Sequence, residues 1–197
     1  MKNLYIVGGP MGVGKTTVCH LLKRKLPKTV FLDGDWCWDM DPFQVTEETK
    51  GMVMENIAFL LNRFLRCSAY ENVIFCWVLH RQEILDELLG KLDVENGAVS
   101  VRRFSLICGA AELERRLRRD IDSGLRQEDV IERSLSRLPF YDKVDAVKID
   151  VTDLSPEQTA ALICGMVVEE HAQVVIWLYL AYPGDDEKAH TGTDKNS

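Results

Sequence analysis

Apolar positions recur along the chain in two rhythms. Short unbroken apolar runs alternate with longer stretches in which apolar residues return every three or four positions, a pattern that predicts strands and helices in turn. Asn3–Val7 reads as a buried strand, followed by a Gly-rich turn and a helix over about Lys15–Leu26. Pro27 closes that helix, because proline lacks an amide and disfavours helix just before it. Thr29–Asp33 is a second strand, opening a Trp- and Asp-rich loop that runs to Val45. Thr46 can cap the next helix, with Glu47 and Glu48 near its positive end and a stripe of Val53, Ile57, Leu60, Leu61 and Phe64. Asn72–Leu79 is apolar nearly throughout, as a central parallel strand covered on both faces should be.

A helix over Arg81–Leu92 and a strand near Phe104–Cys108 come next. Two Arg-rich helical stretches, Ala111–Asp120 and Gln127–Leu138, then lead to a fifth strand at Asp145–Ile149. Ser155-Pro156-Glu157-Gln158 is a helix start, with a capping Ser, Pro at the first helical position and Gln to complete a capping box. This alternation predicts an α/β protein: a five-stranded parallel sheet in a three-layer α/β/α sandwich. Residues 1–172 form the expected domain, residues 173–183 an apolar extension, and residues 184–197 a polar, frayed tail. Within the extension, Val174–Tyr182 reads as an added edge strand or packed segment, or as a dimer contact, so monomer and homodimer both stay open.

Composition narrows the class. Hydrophobic residues at 46% and charged residues at 28% exclude a disordered, collagen-like or coiled-coil chain. The run Val174–Tyr182 is half the length of a membrane span, which needs about 20 apolar residues. The chain enters its first strand without a basic leader, so the expectation is a cytoplasmic protein with no membrane partner. A net charge of −7 disfavours a nucleic-acid partner held through its phosphates. The six cysteines lack zinc spacing and read as reduced thiols, and the four histidines form no metal pair.

Chemistry enters at Gly9-Pro10-Met11-Gly12-Val13-Gly14-Lys15-Thr16, which fits G-x-x-x-x-G-K-[S/T] in full, after a strand and opening a helix. Glycines let successive amides converge on phosphate oxygens, and the helix start adds positive potential. Lys15 then serves the β- and γ-phosphates, the Thr16 hydroxyl a Mg²⁺ ion, and Thr17 the α-phosphate. Gly9, Gly12, Val13 and Gly14 supply the backbone of this cradle. No Asn-Lys-x-Asp guanine signature is present. Asp33-Gly34-Asp35 puts two carboxylates at the carboxyl edge of the sheet, where open α/β folds bind ligands. Arg115, Arg116, Arg118, Arg119, Arg126, Arg133 and Arg137 all fall in one segment, as a solvated pair of ion-paired helices or as a lid over the transferred group.

The sequence resembles the small P-loop kinases of the nucleoside monophosphate kinase-like group, with gluconate, shikimate and adenylylsulfate kinases and chloramphenicol phosphotransferase among them. The resemblance spans about Asn3 to Met166. It rests on G-G-P-M-G-V-G-K-T-T, V-F-L-D-G-D, E-L-E-R-R-L-R-R and K-I-D-V-T-D-L-S-P-E. It implies a P-loop NTPase fold, ATP as donor, Mg²⁺, and a helical Arg-rich lid over about residues 111–138. It also implies that Asp35 faces the acceptor while Asp33 lies nearer the metal. The lid departs from the usual arginine spacing, with Asp120 where a further arginine might be expected, and Arg115, Arg116 and Arg119 all stay candidates for catalysis. The third strand lacks a terminal Asp for a motor-type metal contact, which favours a kinase over an ATPase motor.

His80 and Arg81, just past that strand, are expected to face the acceptor, or to flank the next helix at the surface. Trp36, Trp38 and Trp77 are candidates for the face of a ring or sugar, or for plain packing. The leading expectation is an ATP-dependent kinase acting on a small hydroxyl-bearing acceptor, such as a nucleoside, nucleotide or sugar-like metabolite. Two other readings stay open: a polynucleotide 5′-hydroxyl kinase, and a nucleotide-binding regulator or NTP hydrolase without an acceptor.

Overall fold

The computed structural model describes residues 2–94 and 97–166. The expected extension at 173–183 and tail at 184–197 lie outside the described residues. Met1–Ala161 forms one compact unit, and it carries every feature discussed below.

Five strands build the sheet: β1 (Lys2–Gly8), β2 (Thr29–Asp33), β3 (Asn72–Cys76), β4 (Val99–Ile107) and β5 (Val147–Asp150). All pairings are parallel and the spatial order is β2-β3-β1-β4-β5. The helices are α1 (Lys15–Lys25), α2 (Glu47–Arg66), α3 (Gln82–Gly90), α4 (Ala110–Asp122) and α5 (Val130–Leu135), followed by α6 over residues 156–166. Side chains alternate across the pleat. On one face Leu4, Ile6, Val73 and Phe75 meet Val53, Ile57 and Leu61 of α2 and Leu85 and Leu88 of α3. On the other, α1 buries Val18, Cys19 and Leu22.

Local chemistry sets the helix ends. Thr46 accepts a hydrogen bond from the Thr49 amide at 3.1 Å while the Thr46 amide donates to Thr49 Oγ1 at 2.8 Å, a capping box as expected at this end of α2. Ser155 and Gln158 make the same reciprocal pair at the start of α6, at 3.2 and 2.8 Å. Two strands differ from expectation. β3 stops at Cys76 rather than Leu79, because Leu79 takes a left-handed φ of 37° that no strand can hold. β4 begins at Val99 rather than near Phe104, because Arg102 and Arg103 interrupt its apolar run. Arg102 lies over the Tyr5 ring and Arg103 pairs with Asp145 at 2.7 Å.

The loop after β1 leads to β2 on one side, and the loop after β4 leads to β5 on the other. A crevice opens between two such diverging connections, at the carboxyl ends of the strands.

Candidate active site: a phosphate loop facing two carboxylates

Residues 9–14 join β1 to α1. Gly9, Gly12 and Gly14 all take positive φ, of 146°, 80° and 104°. Gly12 is also a close-approach point: a Cβ there would sit 2.6 Å from Leu117 of α4. Lys15 Nζ folds back into the loop and donates to the Pro10 carbonyl at 3.0 Å.

β2, β3 and β1 lie in register, so Asp33, Cys76 and Val7 form one row across the end of the sheet. That row brings Asp33 to the phosphate loop. Thr16 Oγ1 donates to Asp33 Oδ2 at 2.7 Å, and the other carboxylate oxygen accepts from the Asp35 amide at 3.1 Å. Asp33 thus caps the short 3-10 turn Gly34–Trp38. Gly34 is needed for space, since a Cβ would fall 2.6 Å from the Trp77 ring.

The electrostatics tie four groups together. Loss of water holds the Lys15 ammonium below the usual lysine range, and Arg126 adds to this while Asp35 and Asp33 oppose it. Asp35 is raised above the usual carboxylate range by desolvation and the Asp33 charge, with Lys15, Arg126 and the Trp77 indole pulling the other way. Arg126 is therefore the arginine that both Lys15 and Asp35 feel. Asp120 holds it, accepting from Arg126 Nε at 3.1 Å.

Arg115, Arg116 and Arg119 line a different space. A cavity of about 210 Å³ lies between them, Gly12–Gly14 with Thr17, and Val151, Leu154 and Pro156 beyond β5. Arg116, 16% exposed, ties the three walls together. It donates to Glu112 Oε1 at 2.6 Å, to the Val13 carbonyl at 3.0 Å and to the Val151 carbonyl at 2.8 Å. Arg115 holds the same Glu112 at 2.7 Å, and the two hydrogen-bonded guanidiniums, Arg115 and then Arg116, draw that carboxyl down to about 2. Arg119 is exposed, 4.0 Å from Asp120.

His80 and Arg81 sit at the far end of β3. His80 is half-buried, its ring 6.2 Å from that of Phe140, and the Arg81 guanidinium lies 5.6 Å over the same ring. Burial, then the charges of Arg137 and Arg81, push the His80 imidazole down to about 4. The tryptophans divide: Trp38 and Trp77 pack against the core, whereas Trp36 is exposed and meets Phe31 edge-on at 5.4 Å. Sequence reasoning gave Arg126 and Arg137 no role of their own. The tripeptide Arg137-Leu138-Pro139, which opens the 3-10 turn whose Phe140 meets His80, is the one local signal that could have singled out Arg137.

Among the described residues no three His, Cys, Asp or Glu side chains are grouped to hold a metal by themselves. The Thr16 hydroxyl and Asp33 carboxylate do form the hard-oxygen set that suits Mg²⁺, which keeps several waters and takes its remaining ligands from phosphates. No described helix is long and apolar enough to cross a membrane.

The sheet order, the glycine-rich cradle and the Lys15–Thr16–Asp33 set define a P-loop nucleotide-binding protein. The chain belongs to the AAA domain family, whose model matches residues 6–135. It is similar to a guanylate kinase of Fusobacterium nucleatum, 29% identical over 167 residues covering 75% of this chain and 87% of that protein. Among solved structures, the tunicamycin resistance protein of Deinococcus radiodurans superposes with a TM-score of 0.60 at 20% identity, covering 85% of this chain and 96% of that one. Shikimate kinase of Acinetobacter baumannii gives 0.56 at 21% identity, covering 86% and 94%. The fold is thus that of the small kinase-like P-loop proteins, as the sequence resemblance implied.

Proposed function

We propose that the protein is an ATP-dependent phosphotransferase that moves the γ-phosphoryl group onto a hydroxyl of a small-molecule acceptor. The observation that carries this reading is the meeting of Lys15, the Thr16–Asp33 pair, Asp35 and Arg126 at one edge of the sheet. A nucleotide sensor needs the first two; a second carboxylate with a raised pKa beside a mobile cation suits proton removal from an acceptor.

The cavity between Arg115, Arg119 and Pro156 takes the base and ribose, and the loop amides with Lys15 take the phosphates. Thr17 sits on the same wall, toward the α-phosphate. Arg116, already bound to three walls, positions the loop; Arg126 meets the charge that develops on the transferred group. Thr16 and Asp33 would hold Mg²⁺, which would neutralise phosphate charge. Asp35 orients the acceptor hydroxyl and takes its proton as the new oxygen–phosphorus bond forms and ADP departs.

The test is ADP formation by wild type and Asp35→Asn across a panel of hydroxylated metabolites. The variant should keep its ADP affinity and lose acceptor-dependent turnover by roughly 10²–10⁴-fold, the usual range for general-base help. Wild-type ATP turnover that no acceptor stimulates, unchanged in Asp35→Asn, would overturn the reading.

A further inference from the structure

Helix α2 buries one face against the sheet and leaves the other in water. Val53, Met54, Ile57, Ala58, Leu61 and Leu65 form the buried face. A second stripe runs along the outer face at a spacing of seven, through Met52, Phe59 and Arg66, all three exposed. Met52 is 45% exposed and Phe59 65%. One exposed phenylalanine is ordinary, since much of any protein surface is apolar. The charges around this one are not.

Glu55 stands four residues before Phe59 and Arg63 four residues after it, each about 6 Å away along the helix axis. Both are exposed, and among the described residues neither is ion-paired. Their neighbours are occupied. Lys50 holds Glu47 at 2.7 Å, and Arg66 pairs with Asp93. Asn62 ties this end of α2 to the turn after α3, donating to the Lys91 carbonyl at 2.9 Å and accepting from the Asp93 amide at 2.8 Å. The outer face is therefore left with an apolar stripe, one free carboxylate and one free guanidinium, set symmetrically about Phe59.

Such a face complements itself. A twofold axis requires that every contact occur twice with its members exchanged. Two copies of α2 laid antiparallel and centred on Phe59 bring position 55 of each level with position 63 of the other, and position 52 level with 66. Phe59 then meets Phe59, Met52 meets the carbon stem of Arg66, and a Glu55–Arg63 pair forms on either side. A parallel pair would set Glu55 against Glu55 and Arg63 against Arg63, so charge selects the antiparallel sense. We propose that the outer face of α2 docks a second copy of this chain in that antiparallel arrangement. The helix has 20 residues, which gives a contact line of about 30 Å. Phe43 and Val45, exposed just before α2, add apolar surface at its start. One helix pair lies at the small end of stable interfaces, which bury about 1,200–2,000 Å², so the dimer is a reversible one. The phosphotransferase reading plays no part in this inference.

The experiment is sedimentation velocity on the full chain. Its mass should climb from one chain toward two, with a dissociation constant of roughly 1–100 μM. Phe59→Asp should leave the chain monomeric over that range. Glu55→Arg and Arg63→Glu should each raise the dissociation constant about tenfold or more, because each sets like charges together twice. The double variant, Glu55→Arg with Arg63→Glu, should return to within about threefold of wild type, the non-additivity expected of residues in contact. All three positions are exposed, and circular dichroism checks that each variant is folded. A chain that stays monomeric at every concentration would overturn the proposal and leave the face to a different partner. A mass that grows past two chains, a dimer indifferent to the single reversals, or a double reversal that fails to restore it would each overturn it as well.

Discussion

The two sides of the crevice are finished to different degrees. On the phosphate-loop side, three key side chains already have partners. Lys15 holds Pro10, Thr16 holds Asp33, and Arg116 holds Glu112, Val13 and Val151. On the other side, His80 and Arg81 stand against the Phe140 ring, and among the described residues neither has a carboxylate hydrogen-bonded to it. The first side is built from backbone and short hydrogen bonds, so it fits phosphates that are the same in every nucleotide. The second is built from side-chain tips, which are what changes between one acceptor and another.

The sharpest way to break that comparison is at Lys15. Lys15→Ala should cut ATP turnover by roughly 10²–10³-fold, the size expected for one preorganised donor to a phosphoryl group. Its melting temperature should stay near wild type, since the side chain's one hydrogen bond is to the loop itself. A large fall in melting temperature with ATP affinity preserved would mean that Lys15 is structural. Arg126→Gln sharpens the comparison from within. Turnover should fall about 10²-fold while ADP affinity changes little, because an arginine that meets developing charge is felt mainly in the transition state. Asp120→Asn should give the same signature more weakly, since it only loosens Arg126. If Arg119→Gln instead shows the catalytic loss and Arg126→Gln does not, the roles of these arginines are reversed.

Arg116→Ala tests the finished side by subtraction. It leaves two carbonyls unbonded and removes a largely buried guanidinium, so urea unfolding should show a loss of about 2–3 kcal/mol, with weaker ADP binding. No change in either would mean that the cross-tie is idle. The smallest effect belongs to the unfinished side. His80 is held down to about 4 in the fold, below the ordinary histidine value of about 6.5. Between those values the unfolded chain binds the extra proton, so His80's contribution is full above pH 6.5 and is lost as pH falls toward 4. The stability slope over that window should flatten in His80→Gln.

Elements governed by neighbours in sequence were legible, and those decided at a distance were not. β2 matches its expected span, Thr29–Asp33, because its apolar run and flanking turn residues are contiguous. The phosphate loop was legible for the same reason. β4 hid its first five residues because two arginines broke the pattern, and only Tyr5 and Asp145, far along the chain, explain how a strand tolerates them. Asp33 and Asp35 could be nominated from three adjacent letters, and the family resemblance gave each a partner; only the Thr16–Asp33 hydrogen bond had to come from the structure. The arginines were the hardest. Arg126, whose charge Lys15 feels, lies beyond the turn after α4, where Gly124 takes a φ of 76°, and helical spacing carries no record of that reversal.

The contact between Gly12 and Leu117 has a mechanical consequence. The Leu117 side chain fills the space that a Cβ at Gly12 would need, so the phosphate loop and α4 pack directly on one another. Asp120, which grips Arg126, lies one short step beyond Leu117 on the same helix. The side chain that fills the space at Gly12 and the carboxylate that holds Arg126 thus stand on one helix, one turn apart.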